Sequence, residues 1–315
     1  MSRELLFRLQ SNIEKVILGK TDVIRQVIAS LVAGGHVLIE DVPGLGKTYL
    51  ARSLALSISG IFHRIQFTPD LLPSDVTGVS IYNQQKKIFE FRKGPVFANI
   101  LLGDELNRAT PRTQSALLEC MEERQVTVDG VTHILPRPFF VLATQNPIEQ
   151  QGVYNLPEAQ LDRFLIQISI GYPKHYVEME VLEAQKKKHP IESLEPVLKA
   201  EDVVSMQEQI RDLYVDESVR DYIVSLVEKT RVHPSLVLGA SPRASLALYR
   251  MGQAMCYLDG VEFLKPDVVK ILAKPVLRHR LILKPQARLG GVTADQVVED
   301  VLHNTPVPTT RRVGC

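Results

Sequence analysis

The chain has 315 residues, 45% of them hydrophobic and 23% charged, enough for one large or two modest domains with a sizeable core. With Lys+Arg at 37 and Asp+Glu at 36 the formal charge is +1, so no general field exists for capturing polyanions such as nucleic acid, although a local patch stays open. No apolar run approaches the ~20 residues of a membrane-spanning helix, the N-terminus has no signal-peptide core, and the widely spaced Cys120, Cys256 and Cys315 fit no metal-ligand pattern. A soluble, cytoplasmic protein with reduced thiols is expected.

In chain order, Leu5, Leu9, Ile13 and Val16 recur at helical spacing and predict an amphipathic opening helix. Ile17-Leu18-Gly19-Lys20 breaks it, either as a helix-to-helix turn with Gly19 as C-cap or as part of a nucleotide site. Val23 to Leu31 reads as a second helix. His36-Val37-Leu38-Ile39-Glu40 is a short buried strand, and it runs into Asp41-Val42-Pro43-Gly44-Leu45-Gly46-Lys47-Thr48 and then a helical Tyr49–Ala55. Strand, glycine-rich turn, Gly-Lys-Thr and helix form the context of a phosphate-binding loop, in which backbone N–H groups and the helix N-terminus wrap a polyphosphate. Lys47 would reach the β/γ-phosphates and Thr48 would ligate Mg²⁺. The loop pattern has glycine where this chain has Asp41, a residue type that tolerates left-handed backbone.

Phe62–Thr68 alternates as a strand. Leu71 to Gly78 suggests a short helix, and Ser80–Tyr82 and Lys87–Phe91 two short strands, an excursion that is either decoration or a projecting functional loop. Asn99–Gly103 is an apolar strand ending in Asp104 and Glu105; Asp104 would hold a hydrated Mg²⁺ and Glu105 would polarise the attacking water. Thr110 N-caps a helix with Pro111 at its first position, and Gln125–Ile134 carries an Asp129-Gly130 hairpin signal. Phe139–Thr144 is a further strand, with Gln145 and Asn146 at its carboxyl end, where ligand groups gather in parallel α/β sheets. Asn146 is placed to bond a γ-phosphate or the water; the alternative is a turn residue before Pro147. Leu165–Ile170 is the last strand, so five strands alternating with helices predict a doubly wound parallel sheet.

The Lys174–Ala200 segment is charged and reads as helical, with Lys186-Lys187-Lys188 a solvated face. Beyond Ala200 strand-like runs disappear. Helical periodicity over Val203–Leu213, Ser218–Thr230, Ser241–Tyr257 and Pro266–Arg280 predicts a separate all-helical domain. Ser241-Pro242-Arg243 opens one helix with a cation in its first turn, against the helix dipole, which suggests that Arg243 serves an anion. The Asn304–Thr310 tail reads as loose. The expected division is residues 1–195 for the α/β domain, with an insert at about 71–93 and a hairpin at about 125–134, then 196–303 for a helical lid and 304–315 for the tail.

With these pieces in order, the chain resembles the MoxR family of the AAA+ superfamily. The resemblance is carried by Val42–Thr48, Gly103–Ala109, Thr113–Glu119, Ala143–Pro147, Leu156–Phe164 and Gly239–Arg243, from about Gly19 to the mid-250s. It implies an AAA+ core followed by a lid, ATP with Mg²⁺ as ligand, and a nucleotide contact around Gly19 through Val42, Pro43, Gly44, Leu45, Gly46, Lys47, Thr48 and Tyr49. By the same resemblance Asn146 would sense the γ-phosphate, Arg163 would be an arginine finger reaching a neighbouring subunit's nucleotide, and Arg243 would be a second sensor. Family members form rings, commonly hexamers, and act in chaperone-like maturation of proteins that often carry von Willebrand factor A domains. The expected function is ATP hydrolysis at ring interfaces coupled to partner remodelling; the alternatives are a DNA-dependent motor, which the near-neutral charge disfavours, and a nucleotide-gated scaffold with little turnover.

Overall fold

The computed structural model describes residues 2–147, 152–184, 186 and 188–308. Lys187, Thr309, Thr310 and Cys315, which figure in the sequence-based expectations, lie outside them. The strands are β1 (Val37–Glu40), β2 (Phe62–Gln66), β3 (Gly78–Asn83), β4 (Ile88–Lys93), β5 (Ile100–Asp104), β6 (Gln125–Val128), β7 (Val131–Ile134), β8 (Phe140–Gln145), β9 (Ile166–Ile168), β10 (Leu236–Leu238) and β11 (Ile282–Leu283). The helices of the first part are α1 (Ser2–Glu14), α2 (Thr21–Val32), α3 (Lys47–Ser57), α4 (Pro73–Thr77), α5 (Pro111–Glu123), α6 (Glu158–Leu161) and α7 (His175–Ala184). Those of the second are α8 (Ala200–Gln209), α9 (Glu217–Arg231), α10 (Pro242–Asp259), α11 (Pro266–Leu277), α12 (Pro285–Leu289) and α13 (Ala294–His303).

The expected sheet is present: β2-β5-β8-β1-β9 in spatial order, parallel at every pairing. Because side chains alternate across a strand, the apolar runs divide between two cores, and a parallel sheet covered on both faces follows. Val37 and Ile39 of β1, Ile100 and Leu102 of β5, and Phe140 and Leu142 of β8 pack with α1, α2 and α3. Leu38, Leu101, Val141 and Ala143 face the other way, against Leu117, Leu118 and Met121 of α5 and Phe67. Gly103 is needed on this second face, since a Cβ there would stand 3.0 Å from the Phe67 ring.

Two antiparallel hairpins project from this frame. β3–β4 forms the insert, and β6–β7 turns on Asp129 (φ 50°) and Gly130 (φ 78°), two positive angles in succession as a two-residue hairpin turn requires. Phe91 of β4 stacks on His133 of β7 at 4.0 Å, tying the hairpins together. Their faces leave Ile81, Tyr82, Phe89, Val131 and Ile134 exposed.

Three expectations need correction. The lid is not wholly helical: β10 and β11 pair antiparallel, a short ladder below the length at which periodicity is readable. Its core is also not separate. Leu226, Leu248, Met251 and Leu272 of α9–α11 belong to the same buried cluster as Leu9, Ile28 and Ile39, so lid and sheet share apolar burial through α1 and α2. Among the described residues between Lys174 and Ala200, only α7 and a 3₁₀ turn at Pro190–Ser193 are helical; Pro190 and Pro196 cannot donate to a continuous helical ladder. The lid's last helix, α13, opens on a reciprocal cap between Thr293 and Gln296 that the sequence displays as Thr-x-x-Gln.

Candidate active site

The carboxyl ends of the five strands converge on a cavity of about 470 Å³. Pro43, Gly44, Leu45, Gly46, Lys47, Thr48 and Tyr49 line it, together with Asp104, Glu105 and Asn146, so the expected phosphate loop and acids do meet. Gly44 (φ 89°) and Gly46 (φ 83°) take left-handed backbone, which turns the loop into the N-terminus of α3. Lys47 is 9% exposed and donates to the Asp41 carbonyl at 2.6 Å. Burial pushes its pKa down, while the charges of Asp41, Asp104 and Glu105 oppose that.

Asp41 does not use left-handed backbone. Its carboxylate instead accepts from the N–H groups of Ile170 and of Gly171 (3.0 Å), stitching the start of the loop to the chain beyond β9. A side chain that glycine could not supply therefore explains the departure from the loop pattern. Val42 and Gly19 do not line the cavity. Gly19 (φ 66°) lies in the α1–α2 turn against Val177, and its neighbours Ile17, Leu18 and Lys20 face the cavity in its place. Ile17 and Leu18, with Pro173, Val181 and the Tyr49–His189 stack (4.0 Å), give the cavity an apolar and aromatic part of its wall.

Several residues without a role in the motif-based expectations organise the acids. Thr144, two positions before Asn146 and following four apolar residues of β8, donates to Asp104 Oδ1 at 2.7 Å and accepts from the Glu105 N–H at 2.9 Å. From β2, Arg64 grips Asp104 Oδ2 with Nε (3.2 Å) and Nη2 (2.7 Å), and Gln66 donates to Glu105 Oε2 at 2.8 Å. Arg64 and Gln66 are bonded to each other at 2.9 Å, so a polar chain runs from Asp104 to Glu105. Their period-2 placement at the end of a strand that pairs in register with β5 was the available signal.

The donor set suits Mg²⁺. That ion prefers hard oxygen ligands and is held by one or two protein groups beside substrate phosphates and water. A threonine hydroxyl and a carboxylate, Thr48 and Asp104, are present on the cavity wall.

Arg163 and Arg243 lie elsewhere. A second groove of about 300 Å³ is lined by Gly34, Gly35 and His36, just before β1, and by Phe164 and Leu165, just before β9, which sets it at the amino ends of the strands. Both arginines line it and both pair with Glu122 of α5: Arg163 Nε at 2.9 Å from Oε2, and Arg243 Nη2 at 2.6 Å from Oε1. Beside them Arg280, 6% exposed, donates to Asp162 Oδ1 at 2.7 Å and to the Phe164 and Leu165 carbonyls. Asp162 also accepts from Ser241, the N-cap of α10, at 2.8 Å.

A five-stranded parallel sheet with a phosphate loop after β1, acids after β5, a polar residue after β8 and a helical lid defines an AAA-type P-loop nucleotide-binding protein. Comparison with known proteins agrees. Residues 36–166 match the family model described as ATPase family associated with various cellular activities (AAA), and residues 228–301 match the AAA lid domain. The chain is 39% identical to Chaperone MoxR1 of Mycobacterium tuberculosis over 96% of its own length and 82% of the relative's. It is 26% identical to Protein MoxR of Methylorubrum extorquens over 97% and 96%. It is also 52% identical to the uncharacterized protein YeaC of Bacillus subtilis over 98% and 96%. A crystal structure of a candidate ATPase from Cytophaga hutchinsonii superposes with a TM-score of 0.92 at 39% identity, covering 98% of this chain and 96% of that one. The chain belongs to the MoxR family of AAA+ ATPases.

Proposed function

We propose that this protein hydrolyses ATP in a Mg²⁺-dependent reaction at the interfaces of a homo-oligomeric ring, a hexamer by family resemblance, and that the cycle remodels or matures partner proteins. The observation that carries the reading is the mixed lining of one cavity. Its apolar and aromatic residues suit a purine base, and the same wall carries a phosphate loop and two acids. Lys47 and the loop N–H groups bind the phosphates, and Thr48 with Asp104 holds the metal. When bound, Mg²⁺ would neutralise phosphate charge. Glu105, held by Gln66 and by the Thr144 hydroxyl on its N–H, activates water; Asn146 orients the water or the γ-phosphate.

Arg163 and Arg243 serve the nucleotide of an adjoining copy. The support is positional: they stand at the amino ends of strands whose carboxyl ends carry the chain's own cavity, and β1 alone interposes 4 residues, or about 13 Å. The chaperone name of the mycobacterial relative and the exposed apolar hairpins favour protein partners, and the family resemblance adds those with von Willebrand factor A domains; no helix among the described residues is long and apolar enough to cross a membrane.

Glu105→Gln tests the chemistry. It should bind ATP with wild-type affinity in a fluorescence titration and release phosphate at least about 10²-fold more slowly. Wild-type turnover would reject Glu105 as the base, and wild-type protein that binds ATP without releasing phosphate would favour the scaffold reading.

A further inference from the structure

Glu122 has no part in the expectations drawn from the motifs, yet it is where the two displaced arginines meet. Its carboxylate stands in the last turn of α5, where the helix dipole disfavours negative charge. Each oxygen takes a different partner: Arg163, from the segment entering β9, and Arg243, from the first turn of the lid helix α10. The two pairings differ in kind. Arg163 is engaged through Nε, a buried atom that makes no hydrogen bond among the described residues, so the ion pair compensates its burial. Arg243 is engaged through a terminal nitrogen. The groove around them carries five arginines against two carboxylates, and the other carboxylate, Asp162, is committed to Arg280 and Ser241. Glu122 is therefore too little charge to neutralise the groove, which remains suited to an anion.

We infer that Glu122 is a positioning residue: it holds Arg163 and Arg243 as one unit, and so links the lid of one copy to phosphate cleavage in the next. The inference rests on the reading that Arg163 acts on an adjoining copy's nucleotide. Geometry at this point has leverage, because displacing a charge-stabilising group by about 1 Å costs up to ~10²-fold in rate. Glu122 is 38% exposed on its side chain, so its replacement opens no core.

The test is steady-state phosphate release by Arg163→Ala, Glu122→Gln and Glu122→Asp, each alone and each mixed with Lys47→Ala, with assembly followed by sedimentation in ATP. Lys47→Ala lacks a working phosphate cradle but carries intact arginines and an intact Glu122. Glu122→Gln should lose about 10- to 10²-fold in kcat with KM unchanged. Glu122→Asp should recover part of that loss. Mixing should restore activity to sites that pair the cradle of a Glu122→Gln subunit with the arginines of a Lys47→Ala neighbour. Recovery of Arg163→Ala by Lys47→Ala with no recovery of Glu122→Gln would place the Glu122 effect inside its own subunit and overturn the inference. Wild-type kcat for Glu122→Gln would also overturn it, as would loss of assembly by both Glu122 variants. Failure of Arg163→Ala to recover would instead reject the underlying reading.

Discussion

Glu105 shows how one residue's backbone is held in an uncommon conformation by its neighbours. It sits at φ 56° and ψ 50°, a left-handed conformation that costs a non-glycine residue on the order of 1–3 kcal/mol. The Thr144 hydroxyl on its N–H and Gln66 on its carboxylate hold it there. His36 is a second informative residue. Fully buried, it accepts from the Val141 N–H at Nδ1 (3.0 Å), so Nε2 carries the proton toward the Met121 carbonyl (3.1 Å). Burial lowers its pKa from 6.5 to about 4, with the Arg124 charge adding to the effect, and His279 is lowered for the same reason. Between those values the unfolded chain binds a proton that the folded chain refuses. The stability contributed by neutral His36 is complete above pH 6.5 and falls by about 3 kcal/mol as pH drops to about 4. Urea denaturation of wild type and His36→Gln at pH 7.5 and pH 4.5 should show a smaller pH dependence in the variant, since glutamine offers one acceptor and one donor without titrating.

Among elements, the junction of β9 with the lid is the one most dependent on polar contacts. Asp162 holds the buried Arg280 and the cap of α10 together, so it fastens the segment carrying Arg163 to the helix carrying Arg243. Asp162→Ala leaves a guanidinium in the interior with carbonyl partners only. Unfolding free energy should drop by about 3 kcal/mol or more, read from denaturant curves, because removing one member of a buried pair strands the other's charge. The hairpins behave differently. Their outer faces carry exposed apolar side chains, and the Phe91–His133 stack means that movement of one is felt by the other.

At the scale of the molecule, the cavity and the arginine groove occupy opposite ends of one sheet. On the proposed reading a single copy holds two halves of different sites, and the reaction belongs to a pair. Specific ATPase activity should rise with protein concentration through the range in which sedimentation reports assembly; constant activity down to monomer would contradict this. The shared apolar cluster adds a mechanical consequence. Lid helices α9–α11 pack in the same core as α1 and α2, so the lid is bound to the sheet by burial as well as by Asp162 and Arg280.

The sequence by itself determined the five strands, the phosphate loop, the acids after β5 and both hairpins, because these depend on local chemistry: alternation of apolar residues, glycines where φ must be positive, and Asp129-Gly130 at a turn. It also carried the helical character of the second half through periodicity. Only the tertiary structure decided which polar groups meet. Asp41 bonding beyond β9, Thr144 strapping two acids, Arg64 and Gln66 bridging them, and Glu122 joining Arg163 to Arg243 are contacts between residues 39 to 130 positions apart. Such pairings follow from strand order and helix packing; local spacing shows at most that Arg64 and Gln66 share a strand face, not which groups they meet.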